Sequence, residues 1–537
     1  MKKRAQVPDA HTFTILLRGL AEHVEFPQSL PRAIWLYESM FAFNSHVKPS
    51  VKHTNAVLKV CARAKDLDSM WAIAAKLPAR GLGAPDNLTF TTILNAVSQD
   101  LAPRLRSSIS NNEKSTMIEK AILHGRRMWD DIVGRWRMGD IWIDEELVCS
   151  MGRLLLVGLR PTDWDDVLSL VEQTMAVPRL LPRLGTPARE EARAPQLAAP
   201  EDVTFHRKGS TDGEPEVGGE FDPVDISKVM TRLRGGAEPA VYARPGASTL
   251  SLIFAVCLKM RAKQTGQEYW ALLTDPSGYA VVPDPENYSA YMRLLRQSRA
   301  SKEAVTVLRS ALTSSPTLSP ILLRKSFRIA MSACVRDINS PHAFKHASQI
   351  LDLMQSALAD LDVRTCTRYL ELATRTNNGP TIATALERLN RQTLNLKSML
   401  SYGSAEDATK VRIDEAKDVI ALMKLQVSCC DRLVRRGEVG RKEYGTYAMR
   451  REKLAAWVTR WNTGRGWAKN QKEEGVEGGE KAEGEEEDGA EKKKRIRRGG
   501  RMVKERLEKR QRREERERKE WMERSTETQT EMAVVGF

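Results

Sequence analysis

The chain has 537 residues, of which 41% are hydrophobic and 29% charged, with a formal net charge of +15. It is too long for one small core, and its excess of cations suits a polyanionic partner. Seven cysteines fall without C-x-x-C spacing and no run nears 18 uninterrupted apolar residues, so a disulfide framework, a cysteine-rich zinc site and a membrane-spanning helix are not expected.

Three similar phrases open the chain: "VPDAHTFTILLRGLA" from Val7, "KPSVKHTNAVLKVCA" from Lys48 and "PDNLTFTTILNA" from Pro85. Their prolines Pro8, Pro49 and Pro85 stand 41 and 36 residues apart, close to the period of paired-helix repeats. Six residues after each proline comes a small polar residue, Thr14, Asn55 or Thr91. In the first unit "TFTILLRGLA" predicts one helix with Phe13, Leu16, Leu17 and Leu20 on a shared face. "SLPRAIWLYESM" predicts a second, capped by Ser29, with Pro31 in its first turn and Ala33, Ile34, Tyr37 and Met40 buried. "TNAVLKVCARA" and "DLDSMWAIAAKL" repeat that plan. After Asp100 the chain reads as irregular, which leaves the third unit without a closing residue.

"DEELVCSMGRLLLVG" and "DWDDVLSLVEQTM" form a further pair around residues 144–175. From Pro178 to Pro245 the composition turns to Pro, Gly, Ala and charge, which reads as a disordered insertion. Helical pairs then resume. "RPGASTLSLIFAVCLKM" goes with "GQEYWALL", "VPDPENYSAYMRLLRQS" with "SKEAVTVLRSAL", "LSPILLRKSFRIAMSACV" with "HAFKHASQILDLMQSAL", and "DVRTCTRYLELATR" with "PTIATALERLNRQ". The six-residue offset returns at Pro245/Ser251 and Pro283/Ser289. Two more helices are expected near residues 405–436 and 441–461. The tail from Arg465 is low-complexity, with 21 Lys and Arg against 19 Asp and Glu, so most of the positive excess lies in the folded part. These readings divide the chain into a helical array (1–178), an insertion (179–244), a second array (245–463) and a charged tail (464–537).

The lead-in phrases resemble pentatricopeptide repeat proteins, whose units open on Pro-Asp, a β-branched or aromatic stretch and a polar residue early in the first helix. The resemblance is clearest over residues 7–97, weaker over 245–310, and faint over 140–175 and 320–390. Its divergent repeats, central insertion and basic tail are similar to fungal mitochondrial members. The resemblance implies an all-α, right-handed α-solenoid of stacked helical hairpins, whose first helices line a groove that takes single-stranded RNA.

It also implies that bases are read by the early polar residue together with the residue closing the repeat: Thr14 with Ser50, Asn55 with Asp86, then Thr91, Ser251 and Ser289. Asn followed by Asp resembles a uridine-preferring pair. For any one such residue the plain alternative is a helix cap or a solvated side chain; recurrence at one offset argues for readout. Lys52, Lys59, Arg63, Arg293, Arg296 and Arg324 are candidates for phosphate contact, against the plain reading of solvated surface.

The family likeness further implies a partner among mitochondrial ribosomal or messenger RNAs, with the mitochondrial small ribosomal subunit as an associated assembly. It implies no cofactor and no enzymatic activity. The expected location is the mitochondrial matrix, with the nucleus as alternative given "KKKRIRRGGR" in the tail. Because the first phrase begins almost at Met1, with no room for a transit peptide, either the protein is not imported or a segment ahead of this sequence is missing; the absence of a polar cap on the first repeat favours the second. The competing class is a protein-binding helical scaffold associated with the mitochondrial ribosome.

Other constellations are discounted. Asp163, Asp165 and Asp166 form a tight acidic cluster, but acids in a first helical turn offset the helix dipole, and no second cluster completes a metal site. His342 and His346 have metal-pair spacing without a third ligand. No phosphate-binding glycine loop, dinucleotide fingerprint or nucleophile elbow occurs.

Overall fold

Each lead-in phrase becomes a helix start, and each helix so started pairs with the helix that follows it. The computed structural model describes residues 8–43, 45–192, 219–224, 230–231, 238–239, 241–314, 320–358, 361–401, 410–437 and 440–464. Met1–Val458 form one compact unit and Thr459–Phe537 a second.

In the first unit α1 (Ala10–Glu22) pairs with α2 (Ser29–Ser39), α3 (Val51–Ala64) with α4 (Leu67–Ala74), α5 (Asn87–Arg106) with α6 (Asn111–Arg137), and α7 (Glu145–Val157) with α8 (Pro161–Met175). A single turn, α9 (Pro187–Glu191), follows. Pairing resumes with α10 (Ala247–Lys259) and α11 (Lys263–Thr274), α12 (Pro285–Gln297) and α13 (Ser301–Ser314), α14 (Pro320–Arg336) and α15 (Ala343–Ala357), and α16 (Val363–Arg375) and α17 (Gly379–Ser401). Then come α18 (Lys410–Arg436) and α19 (Arg441–Gly464). The first helices pack side by side in one continuous row: α1, α3, α5, α7, α10, α12, α14, α16, α18. The fold is an all-α solenoid of stacked hairpins, apart from a two-residue antiparallel pair, β1 (Met230–Thr231) with β2 (Glu238–Pro239).

No hairpin buries its apolar face alone, so the core runs between hairpins. Leu17 and Ala21 of α1 meet Ala33 and Tyr37 of α2, then Val57 and Cys61 of α3, Met70 of α4 and Ile93 of α5. The stripe expected on α2 is buried at Ala33, Tyr37 and Met40, with Ile34 half-buried. Leu16 on α1 is exposed, and Ser29 begins α2 without capping it; its hydroxyl donates to the His23 carbonyl at 2.6 Å. All seven cysteines are buried free thiols, and burial pushes those of Cys61, Cys149, Cys257, Cys334, Cys366 and Cys429 up to about 12. None is an accessible thiolate.

The stretch after Asp100 is not irregular. α5 continues through Pro103 to Arg106, and α6 is a 27-residue helix started by Ser110 and Glu113, each bonding back to the other's backbone. Its buried face carries Ile118, Ile122, Trp129, Ile132, Val133 and Trp136.

The described parts of the expected insertion pack onto the array. Phe221, in a 3-10 turn at Gly219–Phe221, is fully buried with its ring centroid 6.4 Å from that of Trp129. Gln173 donates to the carbonyls of Glu220 and Asp222, both at 2.8 Å, and the Ala243 N–H donates to the Thr174 carbonyl at 2.9 Å. Residues 193–218, 225–229, 232–237 and 240 of that insertion, and the tail from 465, lie outside the described residues.

The row of first helices crosses the insertion without a gap, because α7 packs directly on α10. Gly152 makes this contact close: a Cβ there would stand 2.5 Å from a Leu252 methyl carbon. The start of α10 is completed from α7. Its N-cap, Gly246, has no side chain, and Glu145 supplies the missing acceptor, its Oε1 taking the N–H of Gly246 at 3.0 Å and of Thr249 at 2.8 Å. A carboxylate at a helix N-terminus is also favoured by the helix dipole. Glu145→Ala is expected to cost about 1–2 kcal/mol in chemical denaturation, with faster amide exchange confined first to Ala247–Leu250; uniform exchange along α10 would contradict this role.

Candidate functional site

The candidate site is the line of contacts where one first helix hands over to the next. Asp86 caps α5 through Oδ1, which accepts the Thr89 N–H at 2.8 Å and Asn55 Nδ2 at 3.0 Å. The Thr89 hydroxyl donates to Asn55 Oδ1 at 2.6 Å and accepts the Asp86 N–H at 3.1 Å. Asn55 and Asp86, 31 residues apart and paired above by the family resemblance, are in contact. Both ends of the Asn55 amide are engaged within the protein, and Asn55 is 8% exposed.

The same construction recurs with different residues. Asp144 caps α7 through the Leu147 N–H at 2.9 Å and accepts Nδ2 of Asn87 at 2.5 Å. Asp284 and Asn287 cap α12 reciprocally, at 2.7 and 2.8 Å, and Asn287 Nδ2 reaches back to Ser251 Oγ at 2.7 Å and the Ala247 carbonyl at 2.8 Å. Asp362 caps α16, accepting the Thr365 N–H at 2.9 Å while pairing with the Arg328 guanidinium of α14. Burial acts against the Asp362 charge, but Arg328 and Thr365 outweigh it and hold the carboxyl below its ordinary value. At the first handover His53 spans the gap: Nδ1 accepts the Ser50 N–H at 3.0 Å and Nε2 donates to the Ala10 carbonyl at 2.9 Å. Thr14 donates to that same carbonyl at 3.0 Å, so Thr14 and Ser50 are linked through Ala10 and His53.

Thr91 and Ser289 are placed differently. Thr91 is 5% and Ser289 0% exposed, and neither hydroxyl has a partner among the described residues. In this packing they face the interior of the row, where an unpaired hydroxyl is costly. Asp144, Asp284 and Asp362 were not singled out from sequence. The signal was there, since each stands immediately before a first helix, as Asp86 does.

Comparison with known proteins gives matches to solved structures at low identity and low TM-score. No family model and no curated protein matches the chain. Among solved structures it is similar to the pentatricopeptide repeat protein PPR10 in complex with an 18-nt psaJ RNA element, at 11% identity over 84% of this chain and 52% of that one, with a TM-score of 0.29. A cysteine-substituted PPR10 in complex with the same element gives the same figures. PPR10 from maize is 12% identical over 86% of this chain and 76% of that one, with a TM-score of 0.21. The chain thus spans about half the length of the first two.

Of the proposed phosphate contacts, Lys52 and Lys59 project exposed from α3, while Arg63 donates to the Ala21 carbonyl at 2.6 Å near the end of α1. Arg293, Arg296 and Arg324 are half-buried on α12 and α14. The acidic cluster on α8 is structural. Arg126 of α6 bonds Asp163 at 2.8 Å, Asp166 at 2.6 Å and Glu220 at 2.7 Å, and Arg179 lies 2.5 Å from Asp165. Burial raises Asp166 to about 6 despite Arg126. Burial likewise opposes the Arg126 charge, but the carboxylates, Asp166 first, more than offset it. His346 is engaged with the Ser301 hydroxyl at 2.8 Å. Among the described residues no group of three or more His, Cys, Asp or Glu is placed to hold a metal, and no helix is long and apolar enough to cross a membrane.

Proposed function

We propose that this chain is a non-enzymatic, sequence-selective binder of single-stranded RNA, acting in mitochondrial RNA metabolism in the processing of small-subunit ribosomal RNA or in transcript stability and translation. The observation that carries the reading is the Asn55–Asp86–Thr89 contact and the related polar contacts at the α5/α7, α10/α12 and α14/α16 handovers. They set amides, carboxylates and hydroxyls along the joints between first helices, and such groups pair with base edges. The net charge of +15 supports a phosphate-bearing partner. The mitochondrial setting rests on the likeness of the divergent repeats, central insertion and basic tail to fungal mitochondrial members.

The full chain is expected to bind single-stranded RNA at least ten-fold more tightly than duplex RNA. Asn55→Ala should change base preference at one RNA position by about 1–2 kcal/mol, with little change in total affinity. Binding profiles over a randomised RNA pool check this; identical preferences for variant and parent would sink the readout.

A protein-binding helical scaffold is the second reading, favoured by the burial of Ser289 and by the internal engagement of Asn55. Deleting residues 465–537 separates the two, since a groove reader keeps its base preference without the tail and a scaffold loses most RNA affinity.

A further inference from the structure

A cavity of about 590 Å³ opens where α12, α14 and α16 end, and five arginines line it: Arg296, Arg299, Arg336, Arg368 and Arg375. Among the described residues none of the five has a side-chain hydrogen bond or salt bridge to a protein group. Arg296 is half-buried, and its Nε is buried with no hydrogen-bond partner. Gln297, also lining the cavity, has a buried and unpartnered Oε1. Asp337, next in sequence to Arg336, directs a carboxylate oxygen to the Ser301 hydroxyl at 2.6 Å. Burial first, then the positive charges of Arg336, Arg293 and Arg368, hold the Arg296 guanidinium below its ordinary value.

The plain explanation for basic residues here is helix capping, and it covers only part of the cluster. Each helix C-terminus carries roughly half a negative charge, so three ends offset well under half of five cations. Those ends are also closed by backbone bonds, from Ser298 N–H to Leu294, Asp337 N–H to Ala333 and Thr376 N–H to Leu372. Arg299 lies beyond the end of α12, and Arg368 sits within α16 rather than in its last turn. Arg299, Arg336, Arg368 and Arg375 are exposed to solvent, while Arg296 keeps a buried donor without a partner; like charges gathered around one concavity repel one another, and an anion joining them relieves that repulsion.

We propose that this cavity is a binding site for a compact cluster of phosphate charges, the chemistry shared by a phosphorylated strand end and a free polyphosphate or nucleotide. Guanidinium forks pair bidentately with phosphate oxygens, and several forks converging on one space suit a multiply charged group. The volume is many times the roughly 30 Å³ share of a water molecule and falls within the range of about 300–1,000 Å³ typical of ligand pockets, so it has room for a group larger than one inorganic phosphate. The site stands apart from the handover contacts and does not depend on their reading bases.

The test is calorimetric titration of the full chain with inorganic tripolyphosphate. Binding at one site per chain is expected, weakened at least ten-fold in Arg336→Gln/Arg368→Gln, which removes two exposed side chains. Parent-like circular dichroism confirms that this variant folds, and Arg137→Gln/Lys120→Gln serves as the charge-matched control. Absence of binding, or equal weakening in both double variants, overturns the site. A second arm compares one single-stranded RNA with 5′-phosphate and 5′-hydroxyl ends. A preference for the phosphate that disappears in Arg336→Gln/Arg368→Gln assigns the site to a strand end. Tripolyphosphate binding without end preference assigns it to a small polyanion.

Discussion

Arg126→Met is expected to destabilise the first unit by about 3–5 kcal/mol at pH 8, because it removes the guanidinium that Asp163, Asp166 and Glu220 share. Asp163 and Asp166 are buried on α8 and Glu220 is held on the turn beside them, and all three bond to Arg126 at 2.6–2.8 Å. Methionine keeps the packing on Phe221, whose ring centre lies 5.3 Å from the guanidinium carbon, so the loss reports charge rather than volume. The pH dependence makes this testable. Asp166 already titrates at about 6 in the folded chain against an ordinary 3.8. A raised carboxyl contributes stability below the unfolded value that is lost as pH rises through the folded one. Removing Arg126 takes away the charge that opposes burial at Asp166 and raises its folded value further, so the gap between variant and parent should widen from pH 5 to pH 8. Urea denaturation across that range measures it; a gap independent of pH would show that the pairing carries no weight.

Asp362→Ala is the second large effect, at about 2–4 kcal/mol, and its pH window lies elsewhere. Asp362 is 4% exposed and joins the cap of α16 to Arg328 of α14, so one change removes both a cap and a charge-assisted bond between neighbouring first helices. Its folded carboxyl is depressed below 3.8. A depressed carboxyl contributes stability above the unfolded value that is lost as pH falls through the folded one. Variant and parent should therefore differ fully at pH 6 and converge below about pH 4. The Arg126 gap, by contrast, is already shrinking at pH 6. Parallel denaturation series at pH 3.5, 5, 6 and 8 separate the two.

The hairpins were legible wherever Pro, a polar residue and an apolar run stood in fixed order, because that order sets both a helix start and its buried face. α3, α5, α10 and α12 follow directly from it. α6 was missed because it lacks the lead-in, although its Ser110–Glu113 start and its Ile and Trp stripe are ordinary helix signals. The Asn55–Asp86 pairing came from the family resemblance of the lead-in phrases. Its partner Thr89 could not be drawn from sequence, since which neighbour a hydroxyl turns to depends on how two helices meet. Asp163, Asp165 and Asp166 read as dipole-compensating acids because Arg126, 37 residues from Asp163, and Glu220, 94 from Arg126, are drawn in only by tertiary packing. Thr91 and Ser289 share the offset of Asn55 but not its surroundings, because a one-dimensional pattern does not specify how closely adjacent helices pack. The arginine cavity escaped for a similar reason: its members are scattered over 80 residues and meet only where three helices end together.

The borrowed cap of α10 bears on how the chain assembles. A helix whose first N–H groups are answered by its own aspartate can begin to form by itself, as α5, α7, α12 and α16 can. α10 opens on a glycine and draws its acceptor from Glu145, 101 residues earlier in the chain. Its first turn is complete only once α7 is in place, which gives assembly a direction at that joint. The earlier hairpins serve as a template, and the later ones are added to an edge already built.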